Sequence, residues 1–261
     1  MEAKCIDVSY WQGDIDWKKV SKSGVKYAII RAGYRGYTTG KICKDTKAEY
    51  NIEQAQKNGI SCGIYFFSQA VNQDEAFEEA DFLIDIADKY QVDKLFIDTE
   101  LGTVTKTGRA DKLSKEARTQ VVNFFCMRVA TAGYEAGVYA SKNWFENNLN
   151  DKQLICDLRW VAQYADKITY KGDWDLWQYT SKGKVDGIKG YVDVSEMSDV
   201  FRALFEVALK PMTLKPENEK QYQALASVCE QLDLDITLNL SPGDYKTVEK
   251  IWKEIKNTKG E

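Results

Sequence analysis

The sequence of 261 residues contains no histidine. A Ser-His-Asp triad and a Cys-His pair both need an imidazole base, so neither form of nucleophilic catalysis is available to this chain. The common zinc sites with histidine ligands are excluded for the same reason. The chemistry left to the chain rests mainly on carboxylates, with tyrosine, lysine or cysteine in support.

Long apolar runs are also missing. No stretch approaches the roughly 20 apolar residues that cross a membrane, and the start of the chain, MEAKCIDVSY, has no apolar signal-peptide core. We therefore expect no membrane insertion, and either synthesis without a classical export signal or removal of that signal. The charges nearly balance, with 36 Lys and Arg against 40 Asp and Glu, and the pI is near 5.2. This composition argues against a nucleic-acid partner.

The six cysteines are scattered along the chain, and none belongs to a CxxC pair. Several lie in apolar segments with the character of strands or helices. We therefore predict buried free thiols that act as small apolar side chains. These cysteines are Cys5, Cys43, Cys62, Cys126, Cys156 and Cys229.

Short runs rich in Val, Ile, Tyr and Phe alternate with helical segments. Strands that are apolar on both faces indicate a parallel sheet, and eight of them in about two hundred residues favour a closed barrel. The spacers between the later strands are short and polar. The predicted fold is therefore α/β, an irregular TIM-like β/α barrel with some helices reduced. The predicted strands cover residues 4–9, 26–34, 61–68, 93–100, 135–141, 158–164, 174–180 and 190–197.

Three spacers have the pattern of helices. The first begins at an Asp45 cap and ends on Gly59, the second covers residues 72–90, and the third runs from Ser114 to Gly133. We predict that the acidic residues of the second helix lie on its solvated face. They are Glu75, Glu78, Glu79 and Asp81.

The composition changes after about Leu209. Pro211 and Pro216 fall close together, and proline resists helix continuation. We predict a barrel domain over residues 1–209, a linker over 210–216 and a small α+β module over 217–261. About fifty residues make at best a marginal independent domain. Docking on the barrel, self-association with a second copy and binding of a target all stay open for this module.

Two carboxylic acids follow an apolar strand in the stretch LFIDTE. Residues i and i+2 of a strand share a face, so Asp98 and Glu100 project together, with α-carbons about 7 Å apart. Their carboxyls would lie ~5–9 Å apart, which is the range used in glycoside hydrolysis. Like charges this close raise one pKa. The protonated member can then act as a general acid while the other member stabilises positive charge.

Two more acids lie near the ends of the first and last predicted strands, which are neighbours in a closed barrel. They are Asp7 and Asp193. Barrel enzymes build their sites at the C-terminal ends of strands, so all four carboxylates are predicted to converge on one mouth. Aromatic faces stack on sugar rings, and several aromatic residues lie at or just past the same strand ends. We predict that those contacting substrate include Tyr10, Tyr65, Phe67, Tyr139 and Trp177.

Five stretches occur in the order seen in glycoside hydrolase family 25, the Chalaropsis-type lysozymes of bacteria and phage endolysins. The resemblance covers about residues 3–207, and the motifs are specific when taken together. They are DVSYWQG at 7–13, FIDTE at 96–100, GVYASKNWF at 137–145, WQY at 177–179 and VDVS at 192–195.

The resemblance implies an irregular β/α barrel that cleaves the β-1,4 bond between N-acetylmuramic acid and N-acetylglucosamine in bacterial peptidoglycan. It implies no cofactor and no metal. Glu100 resembles the general acid, and Asp98 its partner, which holds the substrate acetamido group or the developing charge. Asp7 and Asp193 resemble supporting acids. Gln178, within the WQY motif, joins the predicted substrate-binding residues.

One position departs from the family pattern. Phe66 stands in GIYFF where the family often has the histidine of Tyr-His-Phe. If that histidine belongs to the rim, its role is lost here, whereas the four acids are unaffected.

Several alternatives stay open. A barrel that binds carbohydrate without cleaving it, and a glycosidase for another acetamido-sugar polymer, both fit the residues. The mechanism is direct displacement or assistance by the substrate acetamido group, and a same-strand DxE without a separate nucleophile favours assistance. The chain is expected to act on the cell wall, as a phage endolysin or as a bacterial enzyme. The C-terminal module is a candidate for self-association.

Overall fold

The structure is a computed structural model that describes residues 4–102 and 108–202. Within these residues the chain forms nine strands and five α-helices. The strands are β1 (Lys4–Val8), β2 (Val25–Arg35), β3 (Ile42–Lys44), β4 (Ser61–Phe67), β5 (Lys94–Asp98), β6 (Glu135–Ser141), β7 (Leu158–Ala162), β8 (Leu176–Gly183) and β9 (Val192–Met197). The helices are α1 (Trp17–Lys22), α2 (Ala48–Lys57), α3 (Gln73–Tyr90), α4 (Lys115–Thr131) and α5 (Lys142–Asn147).

Eight of the strands close into a barrel, which confirms the predicted architecture. The hydrogen-bonded order is β1-β9-β8-β7-β6-β5-β4-β2, and pairing of β1 with β2 completes the ring. The strands from β1 to β8 that lie side by side in this ring are parallel. The short strand β3 was not predicted, and it adds to β2 outside the ring.

The prediction of an entirely parallel sheet is wrong at the last strand. β9 pairs antiparallel with both β8 and β1. The connecting segment 184–191 is shorter than a parallel crossover, which takes about a dozen residues, so β9 returns as a hairpin. The consequence for the site is direct, because the start of β9 lies beside the C-terminal ends of the parallel strands. Asp193 reaches the mouth as the second residue of its strand, not near its end.

Helices cover the early part of the barrel and are absent from the late part, as predicted. The segments 163–175 and 184–191, which flank β8, contain no helix. Helix α3 begins where the Oδ1 atom of Asn72 accepts the Glu75 N–H at 3.0 Å. Its buried stripe repeats at the three- and four-residue spacing of an amphipathic helix and faces the sheet. The stripe consists of Ala76, Ala80, Leu83, Ile86 and Ala87.

Large aromatic rings fill the interior of the barrel below the mouth. The Trp160 ring lies 5.6 Å from that of Phe96 and 4.5 Å from that of Tyr139, in edge-on contacts. The neighbouring strand makes room with a glycine, since a Cβ atom at Gly137 would lie 2.2 Å from the Phe96 ring. This packing makes a solid base for whatever lies at the strand ends.

The acidic face predicted for α3 is not fully solvated. Glu79 is fully buried and accepts from the Arg35 Nε atom at 2.7 Å, although Glu78 is exposed as expected. Glu75 is half-buried and pairs with Arg109 at 2.6 Å. Burial raises the pKa of Glu79 to about 7 against the pull of Arg35. Two of the four acids therefore join the helix to β2 and to the segment that follows β5.

The prediction of six buried free thiols is wrong in part. Cys126 of α4 and Cys156, just before β7, form a disulfide with their α-carbons 5.4 Å apart. Thirty positions separate them in sequence, so spacing alone gave no sign that the helix packs beside that segment. Cys5 and Cys62 are buried free thiols, and Cys43 is free but partly exposed. Cys229 lies outside the described residues.

The chain divides into two units between Arg202 and Ala203. The predicted linker over 210–216 and the module over 217–261 lie outside the described residues, and so does the predicted self-association. Across residues 4–102 and 108–202, no helix is both long and apolar enough to cross a bilayer.

Candidate active site

A cavity of about 180 Å³ opens at the C-terminal ends of the parallel strands. All four predicted catalytic acids line it. The remaining lining is aromatic apart from one amide. The residues are Asp7, Tyr65, Asp98, Glu100, Tyr139, Trp160, Tyr164, Gln178 and Asp193.

The end of β5 supplies two of the acids. Asp98 is the last residue of the strand and is buried, while Glu100 follows two residues later and is half-buried. Burial raises the pKa of Glu100 to about 7, with the charge of Asp193 adding to the shift. Burial also raises the pKa of Asp98 well above its ordinary value, helped by Glu100 and Asp7 and opposed by Arg31. Near neutral pH, Glu100 is therefore divided between its acid and its anion.

The seam of the barrel supplies the other two acids. Asp7 of β1 and Asp193 of β9 are register partners in the antiparallel pair. Residues directly opposite each other in such a pair have α-carbons about 4.5–5.5 Å apart. Burial raises the pKa of Asp7, and the neighbouring charge of Asp193 raises it further. Burial likewise raises the pKa of Asp193.

A buried amide links the seam to the opposite wall. Gln178 of β8 donates from Nε2 to Asp7 Oδ2 at 2.8 Å. Its Oε1 atom accepts from the hydroxyl groups of Tyr139 at 2.9 Å and Tyr164 at 3.1 Å. Three strands and the segment after β7 thus share one hydrogen-bond network.

The aromatic residues form the floor and one wall. Trp160 is buried, and its Nε1 atom donates to Ser195 Oγ at 3.0 Å, which fixes the indole below the acids. The Tyr65 ring lies edge-on to the indole at 6.0 Å. The cavity is therefore acidic and partly apolar. A carbohydrate suits such a lining, because a sugar offers both hydroxyl groups and C–H faces.

Three predicted substrate-binding residues do not line this cavity. Phe67 is buried against the Tyr37 ring, with centroids 5.5 Å apart. Trp177 adjoins Gln178 in β8 and so projects from the opposite face, where its Nε1 atom donates to the Gln163 carbonyl at 2.8 Å. Tyr10 lies past the end of β1, 38% exposed. A role for these three in binding stays a prediction.

Phe66, the departure from the family pattern, also lies away from the cavity. Its side chain is fully buried and packs edge-on against Phe82 of α3, with ring centroids 5.5 Å apart. An apolar ring therefore fits this position, which lies between the sheet and the helix.

The sequence reasoning missed two residues that line the cavity, and a third, Arg31, whose charge acts on Asp98. Tyr164 had a usable signal, because it is an aromatic residue directly after a strand. Trp160 had none, because it lies in the middle of β7 and resembles ordinary core. Arg31 of β2 also carried no signal, yet its guanidinium pairs with Asp45 at 2.8 Å and lies 5.0 Å from the Tyr10 ring.

The arrangement can deliver and receive protons. Glu100 is half-buried, with a pKa raised to about 7, and it lies beside the buried Asp7 and Asp98 and the half-buried Asp193. Such an environment keeps a carboxylic acid protonated so that it can act as a proton donor. Within the described residues, no group of three or more Cys, Asp or Glu side chains is arranged to hold a metal ion. Carboxylate acid-base chemistry is what this site offers.

Residues 6–188 match the profile described as Glycosyl hydrolases family 25. The chain belongs to this family. It is thereby a glycoside hydrolase, and its acids occupy the place in the barrel where such enzymes act.

Relatives in the family carry lysozyme or autolysin names. Lysozyme M1 of Streptomyces globisporus is 24% identical over 78% of this chain and 70% of its own length. The autolytic lysozyme of Clostridium acetobutylicum is 27% identical over 84% of this chain and 63% of its own. The modular autolysin LytC of Streptococcus pneumoniae, solved with a synthetic peptidoglycan ligand, is 30% identical with a TM-score of 0.64. That match covers 74% of this chain and 46% of LytC, so the chain spans less than two thirds of the last two proteins.

Proposed function

We propose that the chain is a peptidoglycan hydrolase of the cell wall, an N-acetylmuramidase that cleaves the β-1,4 bond between N-acetylmuramic acid and N-acetylglucosamine. The observation that carries the proposal is the cavity that collects Asp7, Asp98, Glu100 and Asp193 on an aromatic floor. The family and the names of the relatives support the same substrate.

Glu100 is the proposed general acid. It is the most accessible of the two acids at the end of β5, and its pKa of about 7 keeps a protonated fraction at neutral pH. Donation of that proton to the glycosidic oxygen lets the bond break towards an oxocarbenium-like transition state. The nearby anionic carboxylates stabilise the positive charge that develops on the sugar.

Asp98 is the proposed partner of the substrate acetamido group. Its Oδ1 atom is buried, and among the residues that the structure describes it has no hydrogen-bond partner. A buried acceptor without a partner is costly and gains from a donor. The N–H of an acetamido group is such a donor, and a carboxylate holding it would orient the acetamido oxygen for attack on the anomeric carbon. This geometry favours substrate assistance over direct displacement.

The test is mass spectrometry of fragments released from purified peptidoglycan, after borohydride reduction of the new ends. The proposal expects reduced N-acetylmuramic acid at these ends. Glu100→Gln should lower the rate at least about 10²-fold, since it keeps the shape of the side chain but removes the proton. Glu53→Gln, an exposed change on α2, is the matched control and should keep full activity.

Other products would redirect the proposal. Reduced N-acetylglucosamine would mean a glycosidase that cuts the other bond. Binding of glycan without new ends would mean a carbohydrate-binding barrel. An active Glu100→Gln enzyme would remove the assignment of Glu100 while leaving the activity itself intact.

A further inference from the structure

Gln178 was expected to bind substrate, but its polar atoms are already engaged inside the protein. The side chain is 2% exposed. Its oxygen accepts two tyrosine hydroxyl groups, and its nitrogen donates to Asp7. A sugar would have to displace one of these buried bonds to reach the amide.

The direction of the amide follows from its neighbours. The Gln178 nitrogen faces Asp7, which is the orientation that suits an ionised carboxylate, because such a group only accepts hydrogen bonds. The oxygen then faces the two hydroxyl groups, which donate to it. Burial raises the pKa of Tyr164 to about 12 and that of Tyr139 well above its ordinary value, so both stay donors at any pH where the enzyme works. Two donors on one oxygen hold the amide against rotation.

Asp7 is singled out by this arrangement. Of the four acids, and within the described residues, it alone accepts a side-chain hydrogen bond, the one from Gln178. A donor aimed at a carboxylate favours its charged form. The Gln178 bond lowers the pKa of Asp7 against the larger upward effects of burial and of Asp193.

We propose that Gln178 is a positioning residue that acts through Asp7: it holds a negative charge of the acid cluster on Asp7 and so favours the protonated form of Glu100. The inference rests on the proposed function, because the charge on Asp7 favours the protonated Glu100 that acts there as general acid. Tyr139 and Tyr164 are the two anchors that keep the amide in place.

The charge on Asp7 acts on the titratable groups that surround it. Cys5 shares its strand, and Arg31 of β2 lies on the Asp98 side of the cluster. The other titratable groups that face the cluster include Asp193 of β9, Asp98 and Glu100 at the end of β5, Tyr37 after β2, Tyr65 of β4, Tyr139 of β6 and Tyr164 after β7. Charge on Asp7 repels charge on Glu100, so neutral Asp7 would let Glu100 lose its proton at lower pH.

Gln178→Met removes the donor while keeping the length of the side chain. Asp7 should then take up its proton at higher pH, and Glu100 should lose its proton at lower pH. The pH range of activity narrows from both sides, by about one unit in total, and kcat falls about 10- to 100-fold with little change in KM. A residue that bound sugar would instead raise KM without moving the pH profile.

Gln178→Glu should move the acidic limb of the pH–activity profile in the opposite direction, to lower pH. A glutamic acid can donate to Asp7 only while it holds its own proton, so this variant should work at low pH and fail as pH rises. The expected optimum moves to lower pH by about one unit. Tyr139→Phe and Tyr164→Phe each remove one anchor, and each should lower kcat less than Gln178→Met does. Tyr191→Phe, a change at an exposed tyrosine, is the control.

The deciding measurement does not depend on turnover. Carbon-13 NMR of the side-chain carboxyls, with Asp7 assigned by its loss in Asp7→Asn, follows the titration of Asp7 in the intact protein. An Asp7 midpoint about one unit higher in Gln178→Met supports the inference. An unchanged midpoint overturns it, whatever the kinetics. If the wild type releases no reducing ends from peptidoglycan, the proposed function fails, and the NMR titration still decides the role of Gln178.

Discussion

Glu100 bears a cost in the folded protein, and its proposed role as general acid explains why the protein keeps it. Its ordinary pKa is 4.5, and burial raises this to about 7. Below pH 4.5 the folded and unfolded states both hold the proton, so the raised pKa does not change the free energy of unfolding. Between these values the unfolded chain loses the proton first, and stability falls as pH rises. Above pH 7 both states have lost the proton, and the fold stays less stable by the full free energy of the pKa shift.

Glu100→Gln should therefore stabilise the fold in neutral and alkaline solution. The expected gain is about 2–3 kcal/mol at pH 8, and it should vanish at pH 4. Calorimetry at both pH values measures it against the wild type, with Glu53→Gln as the control. An equal gain at pH 4 would mean that packing, not charge, is responsible. A more stable but inactive variant would show that catalysis and stability compete at this residue.

Asp7, Asp98 and Glu100 could be predicted from the sequence because they fall at or just past the ends of recognisable apolar strands, and Asp193 because it lies in the last such strand, although near its start. The sequence analysis did not determine which of two adjacent strand residues faces the cavity. Trp177 and Gln178 were both assigned to the mouth, yet adjacent residues of one strand face opposite ways. Only one of them could line the cavity, and the structure selects Gln178.

At the scale of elements, β2 and α3 are joined by a buried ion pair. Arg35 is 3% exposed and contacts Glu79 at 2.7 Å, and its other nitrogens donate to the carbonyls of Gly40 at 2.7 Å and Glu75 at 2.9 Å. The Arg35 and Glu79 side chains are both buried, so each depends on the other for a partner of opposite charge.

Arg35→Met should destabilise the fold by about 3–5 kcal/mol, because it leaves the buried Glu79 carboxyl without its cationic partner. Arg35→Met with Glu79→Met should recover much of the loss. The matched control is Arg128→Met, which breaks an exposed pair with Asp81 and should cost at most about 1 kcal/mol. Thermal unfolding of the four proteins is the measurement. Equal losses for Arg35 and Arg128 would contradict the argument.

The elements themselves were largely predictable, because strand periodicity, the Ser114 cap and the short late spacers all agreed. The predicted Asp45 cap is wrong, since α2 begins at Ala48 after Lys47, without a side-chain cap. The direction of β9 was misjudged, although the length of segment 184–191 already disfavoured a crossover. The burial of Glu79 could not be foreseen, since its partner Arg35 lies on a distant strand. Long-range pairing leaves no local pattern.

For the molecule as a whole, the disulfide closes the chain around β6 and α5. It joins positions thirty residues apart. A crosslink of that span restricts the unfolded chain and is worth about 3–4 kcal/mol. It lies on α4 and before β7, and neither cysteine lines the cavity.

Replacing both cysteines, Cys126→Ala with Cys156→Ala, should lower the unfolding free energy by about 3 kcal/mol while keeping kcat at moderate temperature. Incubation with a thiol reductant should lower the melting temperature of the wild type to a similar degree. Cys43→Ala, at a free thiol, is the control. A loss of kcat without a loss of stability would show that the crosslink acts on the site instead.

The seam between β1 and β9 couples the order of synthesis to the onset of lytic chemistry. Asp7 lies on the first strand of the ring in chain order, and Asp193 is synthesised only after the other seven strands. A nascent chain that lacks β9 cannot close the barrel, because β1 and β8 both lack their antiparallel partner. The complete acid cluster therefore forms only when the ring closes, and an unfinished or truncated barrel lacks one of its four acids.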